Sequence, residues 1–135
     1  MIQRIQSVYL LLAAILNIAI FFNALYERAQ ADPVAWISLG FTIVLILAAA
    51  SSVISIFLYK NRDTQIKATS LTGAFQVVAF GWSIGLLISL GGFGSFLLDE
   101  ALGAVLLLIA LIAVFMARRK INADKELVQS MDRIR

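Results

Sequence analysis

Three carboxamides, Asn17, Asn23 and Gln76, are the strongest polar groups inside the apolar stretches of this 135-residue chain. A carboxamide donates and accepts hydrogen bonds but does not ionise, so these residues can hold neutral polar groups or one another, and cannot relay protons. Burying one without partners costs roughly 2 to 7 kcal/mol. They are therefore expected to face protein and to bond between helices. The same donors and acceptors would suit the lining of a neutral-solute path. Hydroxyls lie in the second and third apolar runs, among them Ser51, Ser52, Ser55 and Ser89. A hydroxyl becomes a nucleophile only beside a base, and the chain has no histidine and no interior lysine or carboxylate in those runs.

Cysteine is absent as well as histidine. Disulfides, thiol chemistry, iron-sulfur clusters, Cys/His zinc sites and the histidine haem ligand are thereby excluded. Met1, Met116 and Met131 are isolated and read as packing residues rather than soft metal ligands. There is no P-loop and no dinucleotide fingerprint. The residues therefore predict no enzyme activity and no cofactor. The missing intramembrane carboxylate also argues against proton-coupled drug exchange, the activity of another compact four-span class.

The elements that must position these groups are four apolar runs, at about 8–25, 35–58, 71–90 and 101–117. A helix rises about 1.5 Å per residue, and about 20 apolar residues cross a hydrocarbon core of about 30 Å. Hydrophobic residues make up 61% of the chain and charged residues 14%, too few charges to cover the surface of a soluble domain. With the runs accounted for, only short connectors and the tail at 118–135 remain. The expected fold is all-α: one integral membrane domain over 1–135, an antiparallel four-helix bundle with a C-terminal amphipathic cytoplasmic helix. No run carries a charge in its interior, and charges at that depth are what usually mark ion paths or catalysis.

The third run holds a column of small residues, Gly73, Gly81, Gly85 and Ser89, with Val77 completing the four-residue spacing. Small side chains let helix backbones approach closely in lipid, and Gly81-x-x-x-Gly85 has the usual form of that device. The column is expected to pack inside the bundle, with a second copy or another subunit as the alternative partner. Ala48, Ser51, Ser52 and Ser55 form a comparable strip in the second run, and the two strips together are expected at the tightest helix contact.

Ten of the eleven basic residues fall on one side of a four-span arrangement: Arg4, then Lys60, Arg62 and Lys67, then Arg118, Arg119, Lys120, Lys125, Arg133 and Arg135. Only Arg28 lies opposite, with Glu27, Asp32, Asp99 and Glu100. Positive charge in short loops marks the cytoplasmic face, so both termini are expected in the cytoplasm of a bacterium, with the spans in its inner membrane. The same placement makes the net charge of +3 a topology and lipid-headgroup signal rather than a nucleic-acid one. Arg4 before an apolar stretch and Ala29-Gln30-Ala31 have the form of a signal peptide and its cleavage site. The stretch is too long for a signal peptide, and Glu27 and Arg28 intervene, so it is expected to stay as a span. Asp32-Pro33 is expected to open the second span. Gly91-Gly92-Phe93-Gly94 should end the third, with Phe93, Phe96 and Leu97 anchoring in the interface. No internal repeat of the kind that builds inverted-repeat transporters is evident.

Arg118-Arg119-Lys120 reads as a stop-transfer cluster, and beyond it Leu127, Val128, Met131 and Ile134 recur at helical spacing. The tail is expected to be helical, lying along headgroups, extending the fourth span or docking on a cytoplasmic partner. The opening Met1-Ile2-Gln3-Arg4-Ile5-Gln6-Ser7-Val8-Tyr9-Leu10-Leu11-Leu12-Ala13-Ala14 and the closing Lys125-Glu126-Leu127-Val128-Gln129-Ser130-Met131-Asp132-Arg133-Ile134-Arg135 resemble a bacterial family of small four-span inner-membrane proteins that carries a domain-of-unknown-function label. The resemblance implies that both cytoplasmic ends are recognised, and supplies no substrate or site residues. Together these readings predict a non-enzymatic membrane subunit or scaffold of a larger inner-membrane assembly. Its expected partners are membrane lipid, another protein in the membrane or at its cytoplasmic face, and a further copy of the chain, but not nucleic acid. The alternative is a small oligomeric transporter or channel for a neutral solute.

Overall fold

The computed structural model describes residues 2–89 and 98–134, with side chains from residue 4 onward. The expected terminator Gly91-Gly92-Phe93-Gly94 and the anchors Phe93, Phe96 and Leu97 lie outside the described residues, as does Leu90. All the described elements are helical: α1 (Ile2–Ile20), α2 (Ala24–Ala31), α3 (Ala35–Phe57), a 3₁₀ turn (Leu58–Lys60), α4 (Arg62–Ser89) and α5 (Leu98–Ile134).

On α1 the residues Gln6, Leu10, Ala13, Ala14, Asn17 and Ile20 are buried while Val8, Leu11, Ile15 and Ile18 are exposed. That spacing makes one inward stripe on a helix that is apolar outside as well. The apolar run continues to Leu25, but the helix does not. Phe21, Phe22 and Asn23 donate to the carbonyls of Ile18, Ala19 and Ile20 at 3.0 to 3.1 Å, which tightens the last turn. Asn23 then turns extended, and its Oδ1 accepts the Leu25 amide at 2.9 Å, starting α2 at a bend of 50°. The first run is thus a bent helix pair rather than one straight span.

The chain leaves α2 at Asp32, held extended as a residue before proline must be. Its Oδ1 accepts the Val34 amide at 2.9 Å, a local turn, and α3 begins only at Ala35. The expected helix start at Asp32-Pro33 is therefore displaced, because Asp32 spends its oxygen on a turn instead of a cap. Asn61 closes the 3₁₀ turn with its amide on the Leu58 carbonyl at 3.1 Å, and its Oδ1 then accepts the Thr64 amide at 3.3 Å to open α4. Helix α4 has 28 residues and starts well before Leu71. Helix α5 has 37 and runs unbroken through Arg118-Arg119-Lys120, a length of roughly 55 Å. The tail extends the last long helix rather than forming a separate one.

Helix α1 packs on α3 and α5, and α4 packs on the same two, so the four close into a ring with α2 capping one end. Contacts run in opposite order on neighbours: Gly40 and Ser55 of α3 meet Trp82 and Thr72 of α4, and Arg62 and Gln76 of α4 meet Asp124 and Leu107 of α5. Neighbouring helices are therefore antiparallel. Helices α3 (with its 3₁₀ turn), α4 and α5 are each long and apolar enough to cross a membrane, and α1 with α2 makes a fourth if the bent pair counts as one span.

The outside of this ring is covered by large apolar side chains, among them Leu39, Ile43, Ile46, Val77, Val105 and Ile112. Apolar exposure on that scale far exceeds the patches of soluble monomers. The interior, in contrast, includes ten buried polar side chains among the described residues, Gln6, Gln65, Thr69 and Thr72 as well as Asn17 and Gln76.

Candidate functional site

The polar interior forms a seam built from three helices. At its centre Asn17 of α1 reaches across the ring to α4, where its Nδ2 donates to Gln76 Oε1 at 2.9 Å and also to its own-helix carbonyl at Ala13 at 2.7 Å. Gln76 Nε2 donates in turn to the Leu107 carbonyl of α5 at 3.4 Å. Two diagonal helices and a third are thus joined by one pair of amides, both fully buried. The expected interhelical bonding of Asn17 and Gln76 is present. Asn23 differs: it lies at the break between α1 and α2 and serves as the cap described above.

From the centre the seam continues towards the 3₁₀ turn. Gln65 Nε2 donates to the Ser55 carbonyl at 3.1 Å, and Ser55 and Thr72 bring their hydroxyls to 3.4 Å. Thr69 and Ser52 return their hydroxyls to the carbonyls four residues earlier, at 2.8 and 2.7 Å. Two buried atoms in the described residues have no partner, Gln6 Nε2 and Asn17 Oδ1. Gln6, Gln65 and Thr69 were not singled out in the sequence because they precede the apolar runs. The signal that would have found Gln65 and Thr69 is the helical spacing Gln65, Thr69, Thr72, Gln76, which puts all four on one face.

The small residues divide into two sets. Ala48 and Ser52 are fully buried on α3, on the side that meets α4, and Gly73 has a Val114 methyl 3.8 Å from where a Cβ would stand. Gly81 and Gly85, however, are exposed, with open space where their side chains would be, and Ser89 is exposed beside them. The expectation that they pack inside the bundle is corrected: the four-residue spacing identifies one face of α4, and from Gly81 onward that face points outward. The close approaches are made by two lone glycines instead. A Cβ on Gly40 would run into the Trp82 ring, and one on Gly103 would collide with Asn23 Oδ1 and stand 2.8 Å from Leu25 Cβ. Trp82 also meets Trp36 edge to face at 6.0 Å, and both border an apolar cavity of about 320 Å³ along with Gly85 and Ser89.

Charge concentrates at the two ends. Beside α2, Arg28 Nε donates to Glu100 Oε1 at 3.1 Å, and Glu100 is 4% exposed. At the opposite end Arg62 Nε pairs with Asp124 Oδ2 at 2.8 Å, and Lys125 Nζ with Asp63 Oδ1 at 2.6 Å, so α4 and α5 exchange two neighbouring ion pairs. The Lys125 hydrogen bond, then its charge, hold the Asp63 carboxyl below its ordinary value, with Lys67 adding to the effect against a small opposing cost of burial. Beyond these pairs α5 continues with Leu127, Met131 and Ile134 exposed and Val128 half-buried. The tail is thus helical, and most of its apolar face is uncovered.

An all-α protein with three or four helices fit to span a membrane, a hydrogen-bonded interior and an apolar exterior is the class these observations define. The chain matches the family described as a domain of unknown function, DUF4293, over residues 2–39 and 32–134, and it belongs to that family. No curated protein and no solved structure matches it.

Proposed function

We propose that this chain is a non-enzymatic integral membrane subunit or scaffold of a larger assembly in the bacterial inner membrane, with both termini in the cytoplasm. The observation that carries the reading is the pairing of a hydrogen-bonded interior with two uncovered surfaces of different kinds. One is the outward face of α4 at Gly81 and Gly85, where a partner helix can come close. The other is the tail face of Leu127, Met131 and Ile134, carried on a helix longer than any span requires. The apolar exterior supports embedding in lipid. The excess of basic residues near the Arg62 and Lys125 end supports a cytoplasmic position for that end.

Removing residues 123–135 should leave insertion and bundle folding largely intact and abolish recovery of protein partners in mild detergent. In parallel, Gly85→Leu should leave the stability of the single chain within about 0.5 kcal/mol but reduce the mass of the detergent-solubilised assembly. Unchanged partners after truncation and an unchanged mass for Gly85→Leu would contradict the scaffold reading. A second reading, an oligomeric transporter or channel for a neutral solute, draws on the two unpartnered interior amide atoms of Gln6 and Asn17. Uptake of a small neutral solute into vesicles holding the purified protein, lost on Gln76→Leu, would favour it.

A further inference from the structure

The corner where α3 turns into α4 forms, against α5, an open surface cavity of about 350 Å³ lined by Lys60, Asn61, Arg62, Asp63, Lys125, Val128 and Gln129. We propose that this cavity binds the phosphate of an anionic phospholipid headgroup. The inference rests on the membrane reading above, which sets the level of this corner, and on the donors gathered there.

Three cations and one carboxylate line the space, and Asp124, the partner of Arg62, stands beside it, which leaves an excess of one positive charge. The lining carboxylate, Asp63, is occupied by Lys125 at 2.6 Å. Arg62 is engaged through Nε, and a guanidinium has five N–H donors, so most of its donors remain for another acceptor. Lys60 is exposed and makes no ion pair among the described residues. The Asn61 and Gln129 amides add neutral donors, and Val128 supplies an apolar wall. An oxyanion with several acceptor oxygens matches this set, because Arg offers a planar fork and Lys a point charge to the same group.

The position favours a lipid as the carrier of that phosphate. Phe57 and Tyr59, just before the corner, are exposed, which suits aromatic side chains at a membrane-water interface. The α3 apolar run ends at Leu58, so Lys60 and Arg62 sit one turn beyond the hydrocarbon, at the depth of headgroups. Basic pockets between helices on the cytoplasmic side are physically suited to such headgroups. The ion pairs to Asp124 and Lys125 hold α5 against this corner, so the same contact that positions the tail shapes the cavity.

The test uses the full chain in mixed micelles of phosphatidylcholine and phosphatidylglycerol, with bound lipid counted by native mass spectrometry. Wild type should retain phosphatidylglycerol in preference, and Lys60→Gln should reduce that preference about fivefold, as expected for one cation lost at the surface. Lys60 holds no ion pair among the described residues, so this variant should keep the wild-type melting profile. Arg118→Gln, on exposed α5 surface outside the cavity, should keep most of the preference. Equal loss in Arg118→Gln and Lys60→Gln would indicate a diffuse basic surface and overturn the site. Displacement of the lipid by millimolar inorganic phosphate would overturn the lipid as its carrier. Carbonate extraction of membranes separates the two levels of the argument. A chain that stays in the membrane yet shows no lipid preference refutes the cavity alone, and a chain released by carbonate refutes the membrane reading along with it.

Discussion

The two halves of the bundle have different interiors. Near α2 the core is apolar and aromatic: Ile20, Leu25, Phe41, Leu45, Leu86, Leu87 and Leu107 pack together, with Phe21 and Tyr26 edge to face at 4.9 Å. Towards the 3₁₀ turn the buried positions include Gln6, Ser52, Ser55, Gln65, Thr69 and Thr72, and the companion apolar cluster is built largely of alanines, Ala13, Ala110 and Ala113 with Val114. The amides of Asn17 and Gln76 stand between the halves. In lipid, apolar side chains gain little by leaving the acyl chains for one another, so the first half depends on shape and close packing. The second depends on hydrogen bonds with fixed partners, which select register and neighbour more than they add stability. The difference teaches that one half keeps the helices together while the other specifies which helices meet.

The comparison breaks most visibly where packing is tightest. Gly103→Leu would drive a side chain into Leu25 and Asn23 and should push α2 off its seat, destabilising the protein by about 3 kcal/mol in thermal unfolding in detergent. Unchanged stability would mean that the α2 end is not packed as described. A smaller effect is expected at the polar boundary. Asn17→Leu, Gln76→Leu and the double variant form a thermodynamic cycle, and the coupling between the two amides should be about 0.6 to 1.7 kcal/mol, from the average to the upper value of such cycles between helices in membranes. Zero coupling would detach α1 from α4 and leave the seam without its specifying role.

The smallest effect is expected at the ion pairs. Asp63 has its pKa lowered in the folded protein, so its contribution is present above the unfolded value of 3.8 and is lost as pH falls through the folded value. Its side chain is exposed, so salt should weaken the same contact. Protection of the tail amides, measured against their intrinsic exchange rates, should therefore fall below about pH 4 and at high salt, while protection in the α2 half stays constant. A tail whose protection ignores both variables would contradict the pairing.

Much of this organisation was legible in the residues, and the parts that were not have physical reasons. Asn17 and Gln76 could be placed because an amide in an apolar run has few acceptable positions besides a partnered one. Asn23 has the same chemistry but ends a helix, and nothing in the continuous apolar pattern from Val8 to Leu25 marks the break at Phe21 and Phe22. Gly81 and Gly85 have the spacing of a close contact, and spacing identifies a face, yet it does not say what the face meets. Gly40 and Gly103, each without a small neighbour at helical spacing, carry the actual close approaches and left no pattern to read. The tail's helical period was plain at Leu127, Val128, Met131 and Ile134. Its continuity with α5 was not, because Arg118-Arg119-Lys120 punctuates the hydropathy without interrupting the backbone.

We propose that α1 with α2 forms a full fourth crossing, so that both ends and the basic corner share the cytoplasmic side. The chain has no cysteine, so single substitutions Arg4→Cys, Gln30→Cys and Gln129→Cys can each be probed in intact cells with a membrane-impermeant maleimide. All three positions are exposed. The account predicts labelling of Gln30→Cys from outside, and labelling of Arg4→Cys and Gln129→Cys only after the cells are opened. Labelling of Arg4→Cys and Gln129→Cys from opposite sides would show an odd number of crossings and contradict it.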